Sequence, residues 1–175
     1  HCESSAASDV YKRQVAGGVE KCKWLTEEVK IDAAIDYKTA NLEEVIPELC
    51  PEGIDVIFDN VGGEFLNTAL LSINQNARVA ICGAISGYNN ETPAPGPSNY
   101  TALLIQRARM EGFIVLDYMD RFPEAIGELM QWVQEGKIIY QEDIQEGIEN
   151  APDTLLRLYT GQNKGKQLLK IADPE

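Results

Sequence analysis

A chain of 175 residues has the length of one domain, and its 44% hydrophobic content is enough to build a core, which excludes wholesale disorder. No stretch approaches the roughly 18 consecutive apolar residues that a membrane span needs. The 15 Lys+Arg against 28 Asp+Glu leave a net charge of −13, which repels phosphate backbones and anionic lipid, so nucleic acid and membrane are excluded as partners.

Residues 1–14 show neither helical nor alternating periodicity and lack the apolar run of a secretory signal. They read as an unrelated, disordered leader, and the domain starts at Val15. Residues 19–30 have Cys22, Leu25 and Val29 at helical spacing, and 33–35 form a short strand. Asn41 caps the next helix, whose acids Glu43 and Glu44 suit its first turn. After the Cys50-Pro51-Glu52-Gly53 turn, residues 54–58 are a buried strand, 64–73 a helix and 78–82 a strand. Strand, helix, strand in alternation is the signature of an α/β parallel sheet with crossover helices.

Residues 83–99 break that rhythm with Gly83, Gly87, Gly96, Pro93, Pro95 and Pro97. They follow directly on a strand and predict an ordered loop at the sheet's carboxyl edge, where open α/β sheets bind ligands. A helix over 100–108, a strand over 112–116 and a helix over 123–135 come next. The last of these has Pro123 in its first turn and Ile126, Leu129, Met130 and Val133 on one face. Acidic residues outnumber basic ones between Asp117 and Asp153, which reads as a solvated face. A strand over 138–140, a helix over 151–159, a turn over 161–165 and a strand over 166–171 close the chain.

Cys2, Cys22, Cys50 and Cys82 form no C-x-x-C pair and the single histidine is His1, so no metal site is expected. Isolated thiols suit a reduced, cytoplasmic protein. The lack of an internal histidine also removes the usual general base of Ser-His and Cys-His catalysis. Three glycine-bearing loops follow strands or helices instead: 59–63, 83–88 and 161–165.

The segments AGGVEKCKWL, AAIDYK, GIDVIFDNVGGE, ARVAICGAISGYNN, RARMEGFIVLDY, WVQEGKI and GQNKGK resemble the zinc-independent, NADP-dependent medium-chain dehydrogenase/reductases. The similarity is greatest to the branch of prostaglandin reductase, plant alkenal double-bond reductases and bacterial curcumin reductase, and it runs from Val15 to Ile171. It implies a Rossmann-like, doubly wound parallel sheet over 15–175 and NADP(H) as cofactor. Lys21 is similar to the lysine that pairs with the adenosine 2′-phosphate, and Tyr37 to a tyrosine at the same end. Where an NAD enzyme offers an acid to the ribose, this chain has Ala16-Gly17-Gly18. Asn60, the loop Cys82, Gly83, Ala84, Ile85, Ser86 and Tyr88, the stretch Phe113, Ile114 and Val115, and Asn163 match the remaining cofactor contacts. Tyr88 resembles the tyrosine that points at the substrate carbonyl, where its hydroxyl can stabilise a developing enolate oxygen.

The implied reaction is reduction of the C=C bond of an α,β-unsaturated aldehyde or ketone by NADPH, with no metal. Two alternatives stand beside it: a non-catalytic nucleotide-binding or interaction module, and a quinone oxidoreductase. The resemblance also implies a catalytic domain upstream, to which the C-terminal segment returns, and a first Rossmann strand with its glycine-rich turn. None of these is legible in residues 1–14, and only Val15 and Ala16 match the second strand. In a 3-2-1-4-5-6 sheet that leaves a gap of about 10 Å between strands 3 and 4. A homodimer of the full-length protein through residues 112–116 is the expected assembly.

Overall fold

The computed structural model describes residues 10–92 and 94–173. Its strands are β1 (Arg13–Ala16), β2 (Ala33–Asp36), β3 (Ile54–Asp59), β4 (Ile73–Ile81), β5 (Arg109–Gly112), β6 (Glu142–Glu146) and β7 (Lys166–Lys170). Between them lie α1 (Val19–Glu27), α2 (Leu42–Leu49), α3 (Gly63–Ala69), α4 (Thr101–Gln106), α5 (Phe122–Gln134) and α6 (Ala151–Thr160). Every strand pair is parallel, as the alternation of elements predicts. The described residues divide into two compact units, one within 10–39 and 124–173 and the other within 40–123.

In the first unit β1 pairs with β2 from Arg13↔Ala33 to Ala16↔Asp36, and α1 makes the crossover between them, with Leu25 and Ile35 buried. The strand takes in Arg13 and Gln14, which the sequence assigns to the leader. A parallel ladder is a backbone interaction, so neither residue needs an apolar side chain to join it. The pairing is locked just upstream, where Lys12 N donates to Asp32 Oδ2 (2.6 Å) and Lys12 O accepts from Asp32 N (3.1 Å). A second parallel pair, β6 with β7, runs from Glu142↔Lys166 to Glu146↔Lys170.

The second unit is a three-stranded sheet in the order β3-β4-β5. Asn41 Oδ1 accepts from Glu43 N (3.2 Å) and starts α2 as expected. The helix expected over 64–73 stops at Ala69, a 3-10 turn follows over Leu70–Ser72, and Ile73 already begins β4. The core gathers Ile46, Ile57, Leu66, Ala69, Leu70, Ile73, Ala77 and Val79, with Leu70 0% exposed. Asn76 has φ 64° inside β4, within the stretch where the β3–β4 register shifts.

Two strands expected from the sequence lie elsewhere in the structure. The strand expected over 112–116 is β5, at Arg109–Gly112, paired to Arg78–Ile81. The apolar run that follows leaves the sheet, and Val115–Arg121 turns as a 3-10 helix. The strand expected over 138–140 lies instead at Glu142–Glu146. β1–β2 and β3–β4–β5 are separate sheets, and Arg13–Ala16 forms a full strand beside β2 where the expected order counted its second strand as all but absent. Among the described residues no helix is long and apolar enough to cross a membrane.

Candidate functional site

In the second unit, the carboxyl ends of β3 and β4 carry two loops laced to each other. β3 ends in Asp59, 1% exposed, whose Oδ1 accepts from Val61 N (2.8 Å) and Gly62 N (3.1 Å). That acceptor bends the chain sharply, and the turn needs Gly62 at φ 67° and Gly63 at φ 58° before α3 can start. From the other loop, Cys82 N and Gly83 N donate to Asp59 O (2.8 and 3.2 Å), and Ile85 N donates to Asn60 O (3.1 Å). Ser86 donates to Val61 O through both its N (3.1 Å) and its Oγ (2.6 Å).

This lacing positions Tyr88. Its hydroxyl oxygen accepts from Ala84 N (3.2 Å) and folds back over Gly83. A Cβ at Gly83 would stand 3.1 Å from Tyr88 Oη and 3.3 Å from Asn60 O, so a side chain there would push these oxygens back by a few tenths of an ångström. Because Oη accepts a bond, its own proton remains to be donated outward, from a side chain 68% exposed. Phe113 N donates to Ile81 O (3.2 Å), and its ring lies 6.0 Å from Phe58 and 6.4 Å from Tyr118. Ile114 and Val115 continue beyond it, both exposed. The far end of the loop is held by Asn67, which accepts from Ser98 Oγ and Asn99 N (both 3.0 Å) and whose carbonyl accepts from Asn99 Nδ2 (2.8 Å).

The first unit holds a second cluster. After β1, Gly18 adopts φ 100° and donates its N–H to Asp36 Oδ1 (2.8 Å), and the same oxygen accepts from Lys38 N (3.1 Å). The Gly18 N–H chiefly holds the Asp36 carboxyl below its ordinary range, burial opposing it and the Lys38 N–H adding to it. Tyr37 N donates to Ala16 O (3.1 Å), and the ring covers Gly17 so closely that a Cβ there would stand 2.9 Å from Cε1. Lys21 Nζ donates to Gly161 O (3.0 Å), which brings the 161–165 turn to the start of α1. Asn163 sits in that turn with its Nδ2 donating to Gly165 O (2.8 Å).

The structure thus brings Asn60, Cys82, Gly83, Ala84, Ile85, Ser86 and Tyr88 into one bonded pair of loops, with Phe113 tied to the same strand end. Within the first unit it brings Lys21 to the turn containing Asn163, and Tyr37 to Gly17. The sequence missed Asp36 and Asp59 as organisers of these loops. Their signal is an acid at the last position of a parallel strand, just before polar or glycine residues. Among the described residues no group of three or more His, Cys, Asp or Glu is placed to hold a metal.

Residues 14–135 match the family described as zinc-binding dehydrogenase. The chain is 40% identical over 163 residues to the NADPH-dependent curcumin reductase of Escherichia coli (strain K12), covering 90% of this chain and 47% of that protein. It is 43% identical over 158 residues to prostaglandin reductase 1 of Bos taurus, covering 89% and 47%. The crystal structure of CurA in complex with NADPH from Vibrio vulnificus superposes with a TM-score of 0.83 at 36% identity, covering 93% of this chain and 50% of that one. The chain spans about half the length of the curated relatives it matches.

Proposed function

The chain belongs to the zinc-binding dehydrogenase family, and from that premise we propose that it is the cofactor-binding half of an NADPH-dependent reductase of α,β-unsaturated aldehydes and ketones. The observation that carries this reading is Tyr88, folded over Gly83 at the carboxyl ends of two parallel strands with its hydroxyl proton left to donate. The relatives' names agree with it, one being an NADPH-dependent curcumin reductase and another a prostaglandin reductase.

The residues fit NADP(H). Gly83 and Gly17 each lie where a Cβ would crowd neighbouring side chains, so backbone is presented at both loops. In a chain of net charge −13, Lys21 keeps its ammonium without a carboxylate partner among the described residues, as a phosphate monoester requires. Lys21 and Tyr37 would hold the 2′-phosphate end. Phe113, Ile114 and Val115 would lie beside the nicotinamide, and Asn60, the 82–88 loop and, from the first unit, Asn163 would each add a cofactor contact. The bound cofactor supplies a hydride to the substrate β-carbon, and a proton is taken up at the α-carbon.

Tyr88 would keep its proton and donate a hydrogen bond to the carbonyl oxygen, where negative charge collects as the β-carbon is reduced. The Ala84 N–H on Tyr88 Oη polarises the hydroxyl and makes it the stronger donor. The 82–86 backbone keeps that oxygen in place and requires no metal. In this reading the full-length protein would work in the cytoplasm, where thiols stay reduced, and a second copy would pair along the outer edge of β5, whose four residues are all exposed.

The test is NADPH consumption by the full-length protein with 2-alkenals, enones and quinones. Alkenals and enones are the expected substrates, and Tyr88→Phe lowers kcat about 10- to 100-fold while leaving KM for NADPH in place. Consumption with quinones alone, or a Tyr88→Phe variant as fast as the parent, overturns the reading.

A further inference from the structure

The 2′-phosphate end of the site, as proposed above, contains a second lysine that the resemblance does not assign. Lys38 follows Tyr37 directly, and its stem lies along the β1–α1 turn, with Cε 3.1 Å from where a Cβ at Gly17 would sit. Its Nζ reaches to 3.8 Å from the corresponding position on Gly161. Lys21 Nζ is 3.0 Å from the carbonyl oxygen of that same Gly161. Both ammonium groups therefore converge on one residue and lie within roughly 10 Å of each other, given the dimensions of a peptide unit. Neither forms a direct ion pair with a carboxylate among the described residues, and the one acid that feels the Lys38 ammonium is Asp36, whose carboxyl that charge helps to lower. Two like charges brought together repel each other, and a dianionic phosphate between them removes that cost.

Asp36 is near enough for the Lys38 charge to act on it, but the hydrogen bonds of its Oδ1 go to backbone rather than to the ammonium. Oδ1 is engaged by Gly18 N and Lys38 N, so the carboxylate joins the β1–α1 turn to the backbone that carries Tyr37 and Lys38. We propose that Lys38 is a second phosphate-binding cation that favours NADP(H) over NAD(H), and that Asp36 is the positioning residue that fixes Lys38 and Gly18 around the phosphate. The proposal rests on the cofactor reading above but not on the identity of the substrate.

The experiment titrates the 175-residue chain with 2′-AMP and, as control, 5′-AMP, following backbone amide shifts of Gly17, Gly18 and Lys38 by NMR. Circular dichroism of each variant checks the fold, and Lys38 is exposed, so its replacement leaves the core untouched. The parent is expected to prefer 2′-AMP. Lys38→Met is expected to weaken 2′-AMP about fivefold and leave 5′-AMP within about twofold, with Lys38→Arg restoring the preference. Asp36→Ala is expected to lose the preference, whereas Asp36→Asn, which keeps an acceptor oxygen and sheds the charge, matches or exceeds the parent. A parent with no preference for 2′-AMP overturns this proposal together with the cofactor reading. A parent that prefers 2′-AMP and a Lys38→Met variant that does so equally overturn this proposal alone, as does an Asp36→Asn variant no better than Asp36→Ala.

Discussion

Asp36 and Asp59 hold the same station in different units: each is the last residue of a parallel strand, with its carboxylate turned onto backbone N–H groups of the loops beside it. A carboxylate accepts several such bonds at once, so one side chain can replace the ladder that ends at that residue. Asp143 in β6 does comparable work between elements. It accepts from Lys164 N (2.9 Å) and Arg157 Nη2 (2.6 Å), and Gln145 Nε2 adds a third bond (2.9 Å). The Lys164 N–H and then the Arg157 guanidinium, working against burial, lower its carboxyl from 3.8 to about 2. A group whose folded value is depressed contributes its stabilisation fully above the unfolded value and loses it as pH falls through the folded one. Acid unfolding followed by circular dichroism is therefore expected to show a loss of stability between about pH 4 and pH 2 that Asp143→Asn removes. An identical acid profile in the variant would contradict the assignment.

At the scale of elements, the 3-10 turn between α3 and β4 carries more of the core than its length suggests. Leu70 within it is fully buried, while Leu104 on α4 is 79% exposed. Leu70→Ala is expected to cost about 2–5 kcal/mol in urea denaturation and Leu104→Ala less than about 0.5 kcal/mol. Equal losses at the two sites would mean that the buried cluster is not the core of this unit. The elements themselves were largely legible. Helix and strand alternate with clear periodicity, Asn41 caps where its side chain says it should, and an irregular loop follows β4 as its glycines and prolines indicate. Errors arose where an apolar run was equated with a strand. Phe113 to Leu116 is apolar but lies outside the ladder, with Ile114, Val115 and Leu116 exposed, while the ladder uses Arg109 to Gly112 before it. Residues 138–140 are apolar too, yet the strand is Glu142–Glu146, held by Arg157 and Gln167 around Asp143. A strand stabilised by long-range polar bonds leaves no hydrophobic period to read. The same reason hid Asp36, Lys38 and Asp59, whose roles depend on which backbone groups the fold brings within reach.

For the whole molecule, the half-length match and the separation of β2 and β3 into different sheets bear on the same question. The outer side of β3 has no strand paired to it among the described residues, and Val56 and Phe58 on that strand are 67% and 54% exposed. No G-x-G-x-x-G turn occurs in the sequence to receive the pyrophosphate. With each 1.4 kcal/mol of lost contact worth tenfold in affinity, the 175-residue chain is expected to bind NADPH with a Kd weaker than about 100 μM. Fluorescence titration of the chain checks this, and a dissociation constant of a few micromolar would overturn it. The Asn67 clasp has a different consequence. It ties Ser98 and Asn99 to α3 while Ser86 and Tyr88 tie the loop's other end, so both ends stay fixed independently of the covalent chain between them. The second unit is thereby suited to being split: two separately made pieces, divided between Asn89 and Gly96, carry the bonds needed to reassociate, through the clasp on one side and the β4–β5 ladder on the other.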